Sequence, residues 1–189
     1  MPGFPAATVN ALPFTGDPAG DRLLVAEPMA LLLGFVLDQQ VPLERAFSAP
    51  AKLLERLGTI SPEALLAADP TAVERAFAQQ PALHRFPRMM SSRVLQLCHL
   101  LVKNYQGRPE QIWDGAADAE DLIRRLGGLP GIGSMKAGTM LAVLAKQLGV
   151  KPKGWELLVP DHPTLGDVAD QEGLLQYRAY KRSLKQGAA

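Results

Sequence analysis

A single cysteine, Cys98, is the only thiol that the 189 residues offer. No intrachain disulfide can form, which suits a reducing compartment and makes the cytoplasm the expected location. Aromatic residues are scarce at 6%, and neither sign of charge dominates: 20 Lys and Arg stand against 19 Asp and Glu, a formal net charge of +1. That balance excludes a basic coat protein for nucleic acid. It leaves room for DNA binding at a local patch, because what matters is where the charge sits. No apolar run reaches the roughly 20 residues that span a bilayer, and the N-terminus lacks the basic-then-apolar order of a signal peptide. A membrane is therefore not an expected partner. Alternation with period two is absent as well, so no strand is expected.

What the sequence does have is 47% hydrophobic residues, with 16 prolines and 17 glycines punctuating helical patterns. The expected fold class is all-α. Residues 1–26 read as an N-terminal arm, irregular from Met1 to Asp21, and residues 27–189 as a helical domain of two interleaved lobes. The run from Glu27 to Gln40 opens with Pro28 in its first turn and is apolar on every face, so it reads as a buried helix. Pro50 is expected to restart the helix that follows, and Gly58 to close it. Ser61-Pro62 and Asp69-Pro70 each read as an N-cap followed by a first-turn proline, for short helices Glu63 to Ala68 and Thr71 to Ala78. Ser91 or Ser92 is expected to open a helix reaching Tyr105. His84, Arg85 and Phe86 form a proline-bounded connection suited either to DNA contacts or to a buried loop, and His99 reads as structural. Asp118 with Asp121 caps a helix from Ala119 to Leu126, and a last amphipathic helix covers about Gln171 to Gln186.

The chain is organised around Leu129-Pro130-Gly131-Ile132-Gly133, which joins that capped helix to a second one starting at Ser134 and ending before Gly149. Two helices joined by so short a turn must lie against each other. Glycines on both sides of Ile132 allow positive φ and close approach of another molecule. The second helix begins with free N–H groups that suit an anion such as a phosphate. Gly131, Ile132, Gly133 and Ser134 are therefore candidate contacts to a nucleic-acid backbone, with Lys136 expected to face phosphate. Of the charged residues near this corner, Lys136, Lys146, Lys151 and Lys153 follow it, and Arg178, Lys181, Arg182 and Lys185 lie in the last helix.

LPGIGSMKAGTMLAVL resembles the hairpin of the helix-hairpin-helix DNA glycosylases, the superfamily of endonuclease III and the adenine and alkyladenine glycosylases. Leu129, Pro130, Gly131, Ile132, Gly133 and Ala137 match its usual form, placing the hairpin unit at residues 118–148. The resemblance implies a two-lobed helical protein that binds double-stranded DNA as a monomer, flips out a damaged base and cuts its N-glycosidic bond in base excision repair. Leu37-Asp38-Gln39-Gln40-Val41 is similar to a family segment whose Gln or Asn fills the gap in the stack. Gln40 is the nearer match and Gln39 the second, while Asp38 stands where a small residue is usual. The family's carboxylate, which stabilises oxocarbenium character or activates water, falls nearest to Asp161 in Val159-Pro160-Asp161-His162, with Asp167 as its competitor. Members that also cleave the strand carry a Lys two positions beyond the last hairpin glycine, and here that position is Met135. Hydrolysis without efficient lyase activity is therefore expected. One cysteine cannot supply the four-cysteine iron-sulfur cluster of many relatives, so no cofactor is expected beyond a monovalent cation at the hairpin. The proline-broken stretch from Val150 to Gly166 keeps open a second reading, a glycosylase-shaped lesion sensor with a misplaced carboxylate. A helical interaction module without a DNA role is the third.

Overall fold

The computed structural model describes residue 4 and residues 6–187; the side chains of residues 185–187 lie outside the description, Lys185 among them. The described residues form eleven α-helices and one 3-10 turn, with no strand. None of the helices is long and apolar enough to cross a membrane.

The first lobe contains α1 (Pro18–Ala26), α2 (Pro28–Leu37), α3 (Leu43–Leu57), α4 (Pro62–Ala67), α5 (Pro70–Ala78) and α6 (Pro87–Tyr105). All ten residues of α2 are buried, and α1, α3 and α6 pack around it. Gly34 lets α3 approach closely: a Cβ there would come within 2.5 Å of the Phe47 ring. Phe47 in turn meets Phe14 and Phe35 edge to face, at centroid distances of 5.2 and 5.1 Å, the arrangement that aromatic quadrupoles favour.

Besides α2, which ends at Leu37 and not at Gln40, three boundaries differ from the sequence expectation. The arm turns helical at Pro18, because Asp17 caps α1 by accepting from the Gly20 amide at 2.7 Å, and Pro18 supplies a first-turn residue that needs no partner for its nitrogen. Upstream of it, Leu12 and Phe14 are fully buried. Pro50 does not restart a helix but sits buried inside α3, which continues past the one ladder bond that a proline removes. Helix α6 starts at Pro87, and Ser91 lies within it, donating to the Arg88 carbonyl at 3.0 Å.

The second lobe holds α7 (Gln111–Asp114), α8 (Ala119–Gly127), α9 (Ser134–Lys146), α10 (Trp155–Leu158) and the 3-10 turn Leu165–Asp167. Asp118 caps α8 as expected, accepting from the Asp121 amide at 2.9 Å. Gly166 is pressed onto α9, where a Cβ would meet the Ala142 backbone at 2.5 Å. The arm reaches this lobe from the other end of the chain: Phe4 stacks on Trp113 at 5.2 Å, and the Thr8 amide donates to the Gln147 carbonyl at 2.9 Å. Helix α11 (Gln171–Gly187) is held by buried Leu174, by contacts to the 3-10 turn and by an Arg178–Glu44 ion pair that ties it to α3.

The Gly34 contact can be tested against a glycine with open surroundings. Gly34→Ala is expected to cost about 1–3 kcal/mol, because Phe47 must leave its place in a filled core. Gly127→Ala, with nothing within 4 Å of the new Cβ, is expected to be neutral or to stabilise by up to about 1 kcal/mol. Urea denaturation at fixed m-value measures both; equal effects would show that the close approach of α2 and α3 is not a constraint.

Candidate nucleic-acid interface and active site

Gly131 has φ +77°, the left-handed region that favours glycine. Its space is also taken, since a Cβ would lie 2.6 Å from Gln39 Nε2 and 3.0 Å from Arg93 Cδ. Gly133 is different: it is exposed, its φ is −88°, and no atom lies within 4 Å of a Cβ built there. The first glycine therefore shapes the turn, and the second keeps its outer surface clear.

Ile132 is corrected by the structure as a DNA contact. Its side chain is buried in the core, and its amide donates to the Leu129 carbonyl at 3.1 Å. The free donors begin one residue later. No side chain caps α9, and among the described residues the amides of Gly133, Ser134, Met135 and Lys136 make no hydrogen bond. Gly133, Ser134 and Met135 are exposed. These unsatisfied donors at the positive end of the helix dipole form a ready binding site for a phosphate, whose oxygens accept.

Lys136 is a second correction. Its ammonium turns inward and donates to the carbonyls of Phe35 at 2.9 Å and Asp38 at 3.0 Å, closing the C-terminal end of α2. A helix end in the interior needs such partners because water is not there to serve. Burial holds the Lys136 amine below its usual range, with the Asp38 charge opposing that shift. Gln39 is likewise committed: Nε2 donates to the Val36 carbonyl at 2.7 Å, and Oε1 accepts from Arg93 at 2.5 Å. In this structure it supports the hairpin from behind. Gln40, exposed and with φ +56°, is free.

His84 is fully buried. Its Nδ1 accepts from the Phe86 amide at 3.1 Å, so Nε2 carries the hydrogen and donates to the Gln39 carbonyl at 2.9 Å. Burial lowers its pKa and keeps it neutral. Arg85 lies over the Phe86 ring at 4.7 Å. Among the described residues no group of three or more His, Cys, Asp or Glu could hold a metal ion, and His99 is an exposed residue of α6.

A cavity of about 620 Å³ opens beside the start of α9, within the usual range for ligand pockets. Phe35, Val41, Met135, Leu165 and Tyr177 give it apolar walls. Its charges come from Asp38, Glu44 and Lys136 and from Arg178, Lys181 and Arg182 of α11, so the basic face of the last helix does lie beside the hairpin. Lys146, Lys151 and Lys153 are not among its lining residues. Lys151 lies instead over Trp155 at 5.7 Å. A second cavity of about 660 Å³, between α1, α3 and α4, carries none of the expected residues.

Neither expected acid lines the cavity beside the hairpin. Asp161 is exposed on the segment between Pro160, which packs on Gly138 of α9, and Leu165. Asp167 completes a capping box with Thr164 at the start of the 3-10 turn, accepting from Thr164 N at 2.9 Å and Thr164 Oγ1 at 3.0 Å, and from Lys146 Nζ at 2.6 Å. Burial raises its pKa, but these bonds outweigh burial and hold the carboxyl below its usual range. Two acids do line the cavity, Asp38 and Glu44. Glu44 is ion-paired with Arg178, whereas the carboxylate of Asp38, which the sequence shows only as an unusual residue in its segment, has no partner among the described residues. Burial raises its pKa, against the lowering charges of Lys136 and Lys181.

The two glycines predict different failures. Gly131→Ala is expected to unfold at markedly lower urea, because a strained φ costs on the order of 1–3 kcal/mol before the clash is added. Gly133→Ala is expected to lose at most about 1 kcal/mol as a weaker N-cap. It should nonetheless bind duplex DNA several-fold more weakly, because its new methyl stands where a strand would rest. Undiminished affinity by fluorescence anisotropy in Gly133→Ala would exclude this surface as the DNA contact.

No curated protein and no solved structure matches the chain. One family model does, that of the HhH-GPD superfamily base excision DNA repair protein, over residues 33–186. The match takes in the second half of the buried α2, the hairpin and the cavity between them, and with its span and the geometry of that corner the chain belongs to the HhH-GPD superfamily of base excision DNA repair proteins.

Proposed function

We propose that the protein is a monofunctional DNA glycosylase that grips double-stranded DNA at the start of α9, receives a damaged base in the adjoining cavity and hydrolyses its N-glycosidic bond. The observation that carries this reading is the juxtaposition of four unbonded amides, Gly133 to Lys136, with a cavity of about 620 Å³ that Gly133, Met135 and Lys136 themselves help to line. A phosphate held at the helix start sets the position of the neighbouring sugar, and apolar walls beside it suit a base taken out of the stack. Gln40, exposed beside this corner, would fill the gap in the duplex.

Met135 at the family's lysine position and the inward-bonded Lys136 both support hydrolysis without strand cleavage. A free amine with an available lone pair is what a Schiff base requires, and the Lys136 ammonium is donating to two carbonyls. A monovalent cation fits the hairpin, where the carbonyls of Gly131 and Ile132 accept no hydrogen bond among the described residues. Bound there, it would add positive charge beside the phosphate. No iron-sulfur cluster enters this reading, because the chain offers one cysteine, and that one is buried.

A specific observation favours a second reading, that of a lesion sensor without excision: neither Asp161 nor Asp167 lines the cavity. Duplexes carrying one uracil, alkylated or oxidised base decide between the two. The glycosylase reading expects alkali-labile abasic sites from at least one lesion, and no covalent complex after borohydride. Tight lesion binding with no excision from any duplex would replace it with the sensor. Covalent trapping through Lys136 would end the monofunctional assignment.

A further inference from the structure

Asp38 and Asp161 differ in where they stand. Asp38 is the C-cap residue of α2 and shares the cavity wall with Gly133, Met135 and Lys136, the residues that begin α9. Its backbone is fixed at both ends of the residue: the amide donates to Gly34 O at 3.0 Å, and the carbonyl accepts from Lys136 Nζ at 3.0 Å. Because Lys136 also takes the Phe35 carbonyl at 2.9 Å, the end of α2 is fastened directly to the helix that offers its amides to phosphate. The carboxylate itself is left free. Among the described residues nothing hydrogen-bonds to it, whereas three donors occupy Asp167.

We propose that Asp38 is the carboxylate that serves the sugar in base excision, supplied from α2 and not from the segment after the hairpin. The proposal rests on the glycosylase reading above. Water attacks C1′ of the flipped nucleotide as the C1′–N bond breaks. The bonding pair leaves with the base, the Asp38 carboxylate accepts a proton from the attacking water, and that proton is returned to the departing base, so the sum is hydrolysis. The ionised carboxylate also lies against the positive charge that develops on the sugar. Burial makes Asp38 bind its proton more firmly than an ordinary aspartate does, which improves it as a base at neutral pH. Lys136 is a positioning residue in this scheme: it holds the Asp38 backbone and contributes charge that limits the burial effect.

The same burial fixes a sign for stability. A carboxyl whose folded pKa is raised contributes stability below its unfolded pKa and loses it as pH rises through the folded value. Ionised Asp38 therefore burdens the fold at pH 7.5, and removing its charge should relieve that burden. The groups around it are Lys136 on α9, Tyr177 and Lys181 on α11, and, on the same cavity wall, Glu44, Arg178 and Arg182.

The test is single-turnover excision by the full chain on the lesion panel, comparing wild type, Asp38→Asn and Asp161→Asn, with duplex affinity and thermal midpoint measured in parallel. Asp38→Asn is expected to excise at least 100-fold more slowly, to bind duplex within about threefold of wild type, and to melt at an equal or higher temperature at pH 7.5. The wild-type rate should rise with pH through the Asp38 titration, and that rise should be absent in Asp38→Asn. Excision within tenfold of wild type in Asp38→Asn, with loss in Asp161→Asn, would overturn the assignment and leave the glycosylase reading intact. A wild-type protein that binds lesions and excises none would overturn both. Should Asp38→Asn fail to fold, Asp38→Ser with excision restored by added formate would carry the proposal, and unrestored excision at intact binding would overturn it.

Discussion

The carbonyls at the end of a largely buried helix need partners within the protein, and the end of α2 finds them in the adjoining Gln39 and in side chains from distant parts of the chain. Phe35 and Asp38 receive Lys136, Val36 receives the amide of Gln39, Leu37 receives the Gln39 backbone, and Gln39 receives His84. Each bond is worth on the order of 1 kcal/mol made and more than that if its carbonyl were left unpartnered. Together they do more than satisfy a helix terminus: they set the hairpin, the loop at residues 81–86 and the wall of the cavity against one point.

The hairpin's geometry follows from that point. Arg93 bonds Gln39, and both crowd Gly131, so the turn is backed by the first lobe while its outer side, from Gly133 to Met135, stays open. The open side offers amides, and the cavity next to it offers two carboxylates, Asp38 and the ion-paired Glu44, among several cations. Charge of opposite sign is thus divided within a short distance: donors where a phosphate would lie, an acid where a sugar would follow. The family carries a base-excision function, and this division is what such chemistry asks of a scaffold.

Local signals in the sequence carried the helix caps and the hairpin. Asp118 beside its helix, the glycines around Ile132 and the uniformly apolar α2 were legible because each acts through neighbours a few residues away. Lys136 was not. A helical wheel gives its angle about the axis but not what waits there, and its acceptors lie 101 and 98 residues upstream. For the same reason Asp38 reads in sequence as a mere departure from a family segment, and the bonds that hold Gln39 and Asp167 are not visible there. Pro50 misled in a different way: its ring was accommodated by burial in a helix otherwise strong enough to continue.

The bond from Thr8 to Gln147 spans 139 residues, and with Phe4 on Trp113 it sews the beginning of the chain into the hairpin lobe. A ribosome releases the arm long before its partners exist, so the arm must wait while the six helices of the first lobe assemble. Contacts of such separation slow folding, because loop-closure entropy is lost before they form. Cut away from Phe4 and Thr8, the hairpin lobe would bare the face of Trp113 and the Gln147 carbonyl after α9.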